Sequence, residues 1–389
     1  MFVKRFPRET FSYSSRRTQN WFLRTTLFRR QCAEEKKYFG HTMRRRSQVI
    51  FERSAPVAST TESGRRTSLT PFAQALLGDN VDEGVPASAD ASENCSSDIA
   101  PASSKPSYLN FSFGAHGERG YRRTMEDEHI GAISLGVHAG LPPSKFFGVF
   151  DGHGGRECSI YIRDHIVADL EVGLNRLAVP ANGRVLDADV KSTLLETFLK
   201  VDDDFLKKCV DEKLDNVGST VTSALVLGNR LYVANTGDAR TVLSRNGKAI
   251  PMSRDHKPGE ESEELRIVNA GGKVFHGRIF GVLAVSRAIG DADFKMGSSW
   301  LKDFGITANL VLADPEVEAI ELTPEDDFII LACDGLWDVM DNQSAVDWVG
   351  QKLAIGETCE ATAEMLCNKA IHELNSRDNV SIMIVKIEE

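Results

Sequence analysis

Four aspartates in this sequence stand beside a glycine at the end of an apolar run. They are Asp151 in VFDGHGG, Asp238 in NTGDAR, Asp291 in AIGDADF and Asp334 in LACDGLWD. A strand that ends at such an aspartate presents the carboxylate at the rim of its sheet, and the neighbouring glycine allows a close backbone approach. Any one pair is more often only a turn, because aspartate and glycine dominate turns. Four pairs beside strand-like runs favour a shared cluster of carboxylates.

Such a cluster would need cations. Carboxylates packed at close range cannot all stay ionised without counter-ions between them. The candidate ligands are all oxygen donors, which select hard ions such as Mg²⁺ or Mn²⁺ rather than zinc or copper. Another acidic pair, Glu126 and Asp127, follows Arg122 in RGYRRTMEDEH. Alone this pair is typical of a solvated surface, but beside the four aspartates it extends the candidate metal site.

The elements that must position these residues begin at about residue 108. Helical periodicity and strand-like apolar runs alternate there. The predicted strands are Phe146–Phe150, Ser223–Leu227, Leu231–Val233, Phe328–Cys333 and Val380–Ile387. The predicted helices are Val190–Val210, Glu260–Ala270, Gln343–Leu353 and Cys359–Leu374. Asn246-Gly247 is a strong hairpin signal, and hairpins imply antiparallel sheet. The pattern predicts a layered α+β sandwich.

Seven short motifs then occur in a diagnostic order: GYRRTMED, VFDGHGG, GST, DHKP, LAVSRAIGD, ACDGLWD and DNVS. Their order is similar to that of the type 2C metal-dependent protein phosphatases, and the resemblance covers about Phe111 to Ile387. It implies a four-layer αββα sandwich of two antiparallel sheets flanked by helices. It also implies hydrolysis of phosphoserine and phosphothreonine in proteins by a hydroxide bridging two divalent ions, Mg²⁺ or Mn²⁺, with a weaker third ion.

The resemblance further implies a metal-ligand role for six residues. They are Asp151, Gly152, Asp291, Asp334, Glu126 and Asp238. Asp151 would bridge the two ions, and the Gly152 carbonyl would ligate one of them. Glu126 would serve one ion directly or through water, and Asp238 would hold the weaker third ion.

Four more residues match the family's active site. Arg122 would bind the substrate phosphate, where a guanidinium fork suits the non-bridging oxygens. His153 would be the general acid that gives a proton to the leaving alkoxide. Asp127 would orient bound water, and Asn379 lies where the family places an active-site residue. A histidine bonded near a turn, with only a structural role, is the alternative for His153.

Charge divides the chain into two parts. Residues 1–70 contain 16 basic and 5 acidic residues, whereas the remainder has a net charge of −21. Residues 1–105, basic and then Ser/Ala-rich, are predicted to be a mostly disordered tail with a candidate targeting segment, and residues 106–389 a phosphatase-like domain. The acidic body disfavours nucleic acid as a partner. No apolar run approaches the roughly 20 residues of a membrane-spanning helix.

The expected partners are phosphoprotein substrates, and nothing in the sequence demands more than a monomer. Seven cysteines without a C-x-x-C pair favour a reducing, intracellular compartment. Residues 1–31 resemble an organellar transit peptide, such as a mitochondrial one, although the cytoplasm or nucleus is slightly favoured. Two alternatives to a protein phosphatase stay open. One is a catalytically silent relative acting as a binding module, and the other is a hydrolase of small phosphate esters.

Overall fold

The computed structural model describes residues 108–179, 185–214 and 216–388. The predicted tail at 1–105, with its candidate targeting segment, lies outside the described residues. In chain order the strands are β1 (Asn110–Glu118), β2 (Glu128–Ser134), β3 (Ser144–Phe150), β4 (Gly152–His153), β5 (Gly218–Ser219), β6 (Val221–Leu227), β7 (Arg230–Thr236), β8 (Arg240–Arg245), β9 (Lys248–Pro251), β10 (Val274–Phe275), β11 (Arg278–Ile279), β12 (Ile289–Gly290), β13 (Glu316–Glu321), β14 (Asp326–Ala332) and β15 (Val380–Glu388).

Helices separate groups of these strands. They are α1 (Glu157–Leu174), α2 (Asp187–Glu212), α3 (Glu261–Asn269), α4 (Ser299–Asp303), α5 (Asp334–Trp337), α6 (Asn342–Ala354) and α7 (Cys359–His372). A single 3₁₀ turn follows β12 at Ala292–Phe294. Among the described residues, no helix combines the length and the apolar character that a membrane crossing requires.

Two five-stranded sheets form the two inner layers. Their strand orders are β1-β15-β14-β8-β9 and β13-β7-β6-β3-β2, and every pairing within them is antiparallel. Side chains alternate across β3, as strand geometry requires. Phe147 and Val149 pack between the sheets with Leu331 and Met383. Phe146, on the opposite face of β3, packs against helices α1 and α2. Helices α6 and α7 cover the other sheet. The predicted four-layer αββα sandwich is confirmed.

Most predicted elements are present within a few residues of their predicted bounds. Asn246 and Gly247 both have positive φ, 50° and 69°, and they join β8 to β9 in the predicted two-residue hairpin. Helix α2 buries Val190, Leu194 and Phe198 along one face. Leu199 of the same helix is exposed.

Helix α1 and the outer strands β1, β2 and β13 were not predicted. The helix has no side-chain cap at its start, which follows the glycines of VFDGHGG directly. Its buried residues Ile162, Ile166, Leu170 and Leu174 recur at four-residue steps. That spacing is the signal in the sequence that would have identified it.

Candidate active site

A cleft of about 840 Å³ opens where the ends of the two large sheets meet. Asp151 follows β3 and Asp238 follows β7, in one sheet, while Asp334 follows β14 in the other. All three line the cleft, so the strand-end aspartates converge although they are far apart in sequence. The predicted site residues in its lining are Arg122, Glu126, Asp151, Gly152, His153, Asp238, Asp334 and Asn379. Asp127 and Asp291 lie behind it.

The carboxylates around the cleft repel one another in a buried setting. Burial, together with the charges of Asp127, Asp334 and Asp238, holds the pKa of Asp151 well above its usual range. Burial and the charges of Asp238 and Asp378 raise the pKa of Asp334 to about 8. Burial also raises the pKa of Asp127 to about 6, and neither of its carboxylate oxygens has a hydrogen-bond partner among the described residues. Crowded oxygen donors of this kind fit hard divalent cations.

The donor set fits ions that keep part of their water shell. Within the described part of the chain, no three His, Cys, Asp or Glu side chains are arranged so that they alone could hold an ion. Mg²⁺ commonly takes only one or two carboxylates and retains several waters. Backbone oxygen can supply a further ligand beside Asp151, where only glycine fits. A Cβ added at Gly152 would lie 2.2 Å from the Glu126 carbonyl oxygen.

Asp291 lies against His153 and is not part of the cleft lining. Both of its carboxylate oxygens lie 2.9 Å from Nε2 of His153, and its side chain is 3% exposed. The small sheet β12-β5-β4 causes this, because β12 and β4 both pair with β5. Gly218 on β5 makes room for the pair, since a Cβ there would be 2.5 Å from both side chains. Asp291 therefore contacts the imidazole in this structure, and its ligand role stays a prediction.

The contact with Asp291 also sets the charge state of His153. Burial alone would lower the pKa of His153, but the charge of Asp291 and its hydrogen bond outweigh burial. The net pKa is above the usual value for histidine. The contact therefore favours the protonated form of the imidazole at the edge of the cleft.

Asp378 is the acidic residue that the sequence interpretation missed. It lines the cleft, forms an ion pair with Arg122, and its charge raises the pKa values of Asp127, Asp151 and Asp334. The available signal was its place in DNVS, directly before β15. The interpretation chose the adjacent Asn379 instead.

Asn379 holds the loop that carries Arg122. Its Nδ2 donates to the carbonyl oxygens of Arg119 and Thr124, at 2.9 and 3.0 Å. Its Oδ1 accepts a hydrogen bond from the Glu126 backbone N–H at 3.0 Å. The side chain of Arg122 projects from this loop into the cleft and is more than half exposed. Asn379 thus positions other residues and is mostly buried itself.

A lysine that was not singled out from the sequence lies among the acids on the far side of the cleft. Nζ of Lys257, in DHKP, is 3.1 Å from Asp338, 3.9 Å from Asp255 and 4.0 Å from Asp238. Burial raises the pKa of Asp238 to about 6, and the charge of Lys257 opposes that rise. This lysine is the cation that faces Asp238 most directly within the described cleft.

Comparison with known proteins places these residues in a family context. The family model described as Protein phosphatase 2C matches residues 111–380. Protein phosphatase 1B of Rattus norvegicus is 36% identical over 278 residues, which make up 70% of this chain and 69% of that protein. Probable protein phosphatase 2C 22 of Arabidopsis thaliana is 37% identical over 285 residues, 71% of this chain and 68% of that protein.

A solved structure extends the likeness to three dimensions. The serine-threonine phosphatase 2C from Toxoplasma gondii superposes with a TM-score of 0.60 at 27% identity. The superposition covers 73% of this chain and 96% of that one. The residues matched by the family model include every residue of the cleft described above.

Proposed function

Since this chain belongs to the protein phosphatase 2C family, whose members are metal-dependent protein-serine/threonine phosphatases, we propose that its cleft hydrolyses phosphoserine and phosphothreonine with two bound divalent ions. The observation that carries the proposal is the convergence of Asp151, Asp334 and Asp378, with raised pKa values for the first two, beside an exposed arginine. Phosphoprotein substrates are the proposed partners, and Mg²⁺ or Mn²⁺ the proposed ions.

The proposed ligands differ from the predicted set at one position. Asp151, Asp334 and the Gly152 carbonyl would keep the ligand roles that the resemblance implies, and Asp378 would take the place of Asp291. Glu126 serves an ion through water, and Asp238 serves a weaker third ion. When bound, such ions lower the pKa of a water molecule and neutralise the charge of the phosphate.

The cationic and neutral side chains of the cleft would handle the substrate. The Arg122 guanidinium offers two parallel N–H groups to the non-bridging phosphate oxygens. In the present structure Nη2 of Arg122 donates to an Asp378 carboxylate oxygen, so a phosphate must compete with that carboxylate for this nitrogen. Asp127, buried with two unpartnered oxygens, is suited to accept a hydrogen bond from water held near Asp151.

His153 would give a proton to the leaving seryl or threonyl oxygen. Because Asp291 occupies Nε2, Nδ1 is the ring atom left to face the substrate. An alkoxide is a poor leaving group, so this proton matters more for a phosphoprotein than for an aryl phosphate. His153→Gln should slow hydrolysis of a phosphothreonine peptide more than that of p-nitrophenyl phosphate.

A binding module without catalysis is a poorer explanation of the same cleft. Buried carboxylates with raised pKa values cost folding free energy, and a module that only binds a partner has no need of them. Such strongly perturbed groups in a cleft are typical of catalytic sites. No feature of the described residues favours a small phosphate ester over a phosphopeptide.

The test is hydrolysis of a phosphothreonine peptide by the full-length chain. We expect turnover with added Mn²⁺ and its loss after complete removal of divalent ions by a chelator, with recovery when Mn²⁺ is restored. Far-ultraviolet circular dichroism before and after chelation serves as the control for folding. Turnover that persists without divalent ions would contradict the proposal.

A further inference from the structure

Three arginines besides Arg122 lie on the two chain segments that carry Arg122 and Asp378, two residues of the cleft lining. Arg119 and Arg123 lie on the loop between β1 and β2, and Arg377 lies on the turn that leads into β15. We call these three residues the arginine rim. All three are exposed, and each is within three residues of Arg122 or next to its partner Asp378.

The backbone beneath the arginine rim is fixed. Asn379 donates hydrogen bonds to the carbonyl oxygens of Arg119 and Thr124 and so joins the turn to the loop. Gly120 packs against the turn, because a Cβ added there would lie 2.5 Å from the Asp378 carbonyl oxygen. The rim therefore keeps a constant position relative to Arg122.

Two of the rim side chains are partly ordered by neutral groups. The Arg119 guanidinium donates to the Arg122 carbonyl oxygen. The Arg377 guanidinium lies over the ring of Tyr121, 4.8 Å from its centroid, a cation–π arrangement that favours this position of the side chain. A guanidinium held in this way loses less conformational entropy when it binds an anion.

No carboxylate of the described residues neutralises a rim arginine. Among the described residues, Arg119, Arg123 and Arg377 form no ion pair within 4.0 Å, whereas most other arginines of the domain do. The paired arginines include Arg156, Arg163, Arg230, Arg240, Arg245, Arg254, Arg266 and Arg287. The contrast is sharper because residues 71–389 have a net charge of −21.

The rest of the cleft lining is of mixed charge. Glu260 and Asp338 belong to it, with Lys257 paired to Asp338, and Arg278 lines it as well. A substrate segment that extends from Arg122 towards the arginine rim meets three further guanidinium groups there. Charge complementarity of this kind selects among partners rather than adding much affinity.

We propose that the arginine rim selects substrates with a second anionic side chain close to the phosphoresidue. This inference rests on the proposed function, since it places the scissile phosphate at Arg122. An extended peptide advances about 3.3–3.6 Å per residue, so the second anion lies within about three residues of the phosphoresidue. A carboxylate and a phosphate both present oxygen pairs that match a guanidinium fork, and the two sources are separated by experiment.

The experiment compares kcat/KM for four phosphothreonine peptides in the full-length protein with Mn²⁺. They differ in the flanking residues, which are neutral, glutamate, a non-hydrolysable phosphonate analogue of phosphoserine, or arginine. We expect kcat/KM for the glutamate or the phosphonate peptide to exceed that for the neutral peptide by about tenfold, because each exposed ion pair contributes a factor of about two to five. The larger of the two ratios identifies the anion. Both ratios should fall as salt is raised.

Variants then assign the preference to the rim. Arg123→Gln and Arg377→Gln should each reduce the anionic-to-neutral ratio two- to fivefold, and together they should bring it below about twofold. Using the ratio within each variant removes any general effect on turnover. Arg176→Gln is the matched control, because Arg176 is exposed and follows the end of α1. Helix α1 begins beside the cleft and spans 18 residues, about 27 Å.

The outcomes separate the two proposals. Equal rates on neutral and anionic peptides, a preference for the arginine peptide, or an anionic preference that survives in the double variant would each overturn the inference. No hydrolysis of any peptide by the wild-type protein with Mn²⁺ would instead count against the proposed function. A ratio that falls equally in Arg176→Gln would show a general charge effect and would also overturn the role of the rim.

Discussion

Replacing Asp291 by asparagine distinguishes a metal ligand from a partner of His153. The substitution keeps the size of the side chain and removes its charge. In the structure both carboxylate oxygens lie 2.9 Å from Nε2 of His153, and the aspartate is 3% exposed. A hydrogen bond to a charged group contributes about 1.5–3 kcal/mol. If it acts on the protonated imidazole in the transition state, its loss lowers kcat about 10- to 100-fold.

The assay has two substrates and one binding measurement. We expect kcat to fall about 10- to 100-fold on a phosphothreonine peptide and less than about threefold on p-nitrophenyl phosphate, whose p-nitrophenolate leaving group needs no proton. Mn²⁺ affinity measured by calorimetry should change by less than about twofold. The pKa of His153 should fall, because burial lowers it once the charge of Asp291 is gone. The alkaline limb of the pH–rate profile should therefore move to lower pH.

The opposite pattern would refute this interpretation of Asp291. A loss of Mn²⁺ affinity of tenfold or more, with equal losses of kcat on both substrates, would indicate a metal ligand. Asp203→Asn provides the control, because Asp203 is an exposed aspartate of helix α2.

Three further substitutions test the surroundings of the cleft. Lys257→Met should strengthen the weaker Mn²⁺ binding at Asp238 by up to about 30-fold, as measured by calorimetry. Nζ of Lys257 lies 4.0 Å from the Asp238 carboxylate, and at that distance its charge opposes a divalent charge by about 2 kcal/mol in water. Burial, with the charge of Arg287, lowers the pKa of His256 to about 4, so its contribution to stability is present above pH about 6.5 and is lost as pH falls towards 4. As pH falls over this interval, the free energy of unfolding of His256→Gln, measured by urea titration, should therefore decrease by about 3 kcal/mol less than that of the wild type. Asn379→Ala loses three hydrogen bonds to the Arg122 loop and should lower kcat/KM about 10- to 100-fold in steady-state kinetics.

Each of these has a result that would contradict it. Unchanged Mn²⁺ binding in Lys257→Met would mean that the lysine moves aside without cost. If the free energy of unfolding of His256→Gln changed with pH in parallel with that of the wild type, the proposed proton linkage of His256 would be wrong. A normal KM in Asn379→Ala would show that the loop stays ordered without those bonds.

The sequence predicted the convergence of aspartates because its signals were local. A buried strand followed by an aspartate with an adjacent glycine can be recognised within about eight residues, and β3, β7 and β14 each end in this way at Asp151, Asp238 and Asp334. The hairpin at Asn246-Gly247 was predictable for the same reason. Two residues with positive φ between apolar strands permit few other structures.

The orientation of the remaining acids depended on pairing over long distances. Strand β5 joins β4 and β12, which are more than 130 residues apart, and only this pairing turns Asp291 towards His153. Asp378 reaches the cleft because β15 pairs with β14 in the centre of its sheet. No local sequence pattern shows that Asp291 faces His153 or that Asp378 reaches the cleft. The tail at residues 1–105, the domain boundary, the intracellular location and the monomeric state stay predictions.

The most direct test of the central claim is to count the divalent ions that the chain binds with and without the Asp151 carboxylate. Equilibrium dialysis of the full-length chain against Mn²⁺, with turnover measured on the same samples, compares wild type with Asp151→Asn. We expect about two tightly bound ions per wild-type chain, and in the variant the loss of at least one ion together with turnover, while circular dichroism stays unchanged. A variant that binds both ions and hydrolyses the peptide at the wild-type rate would contradict the proposal that this carboxylate bridges them.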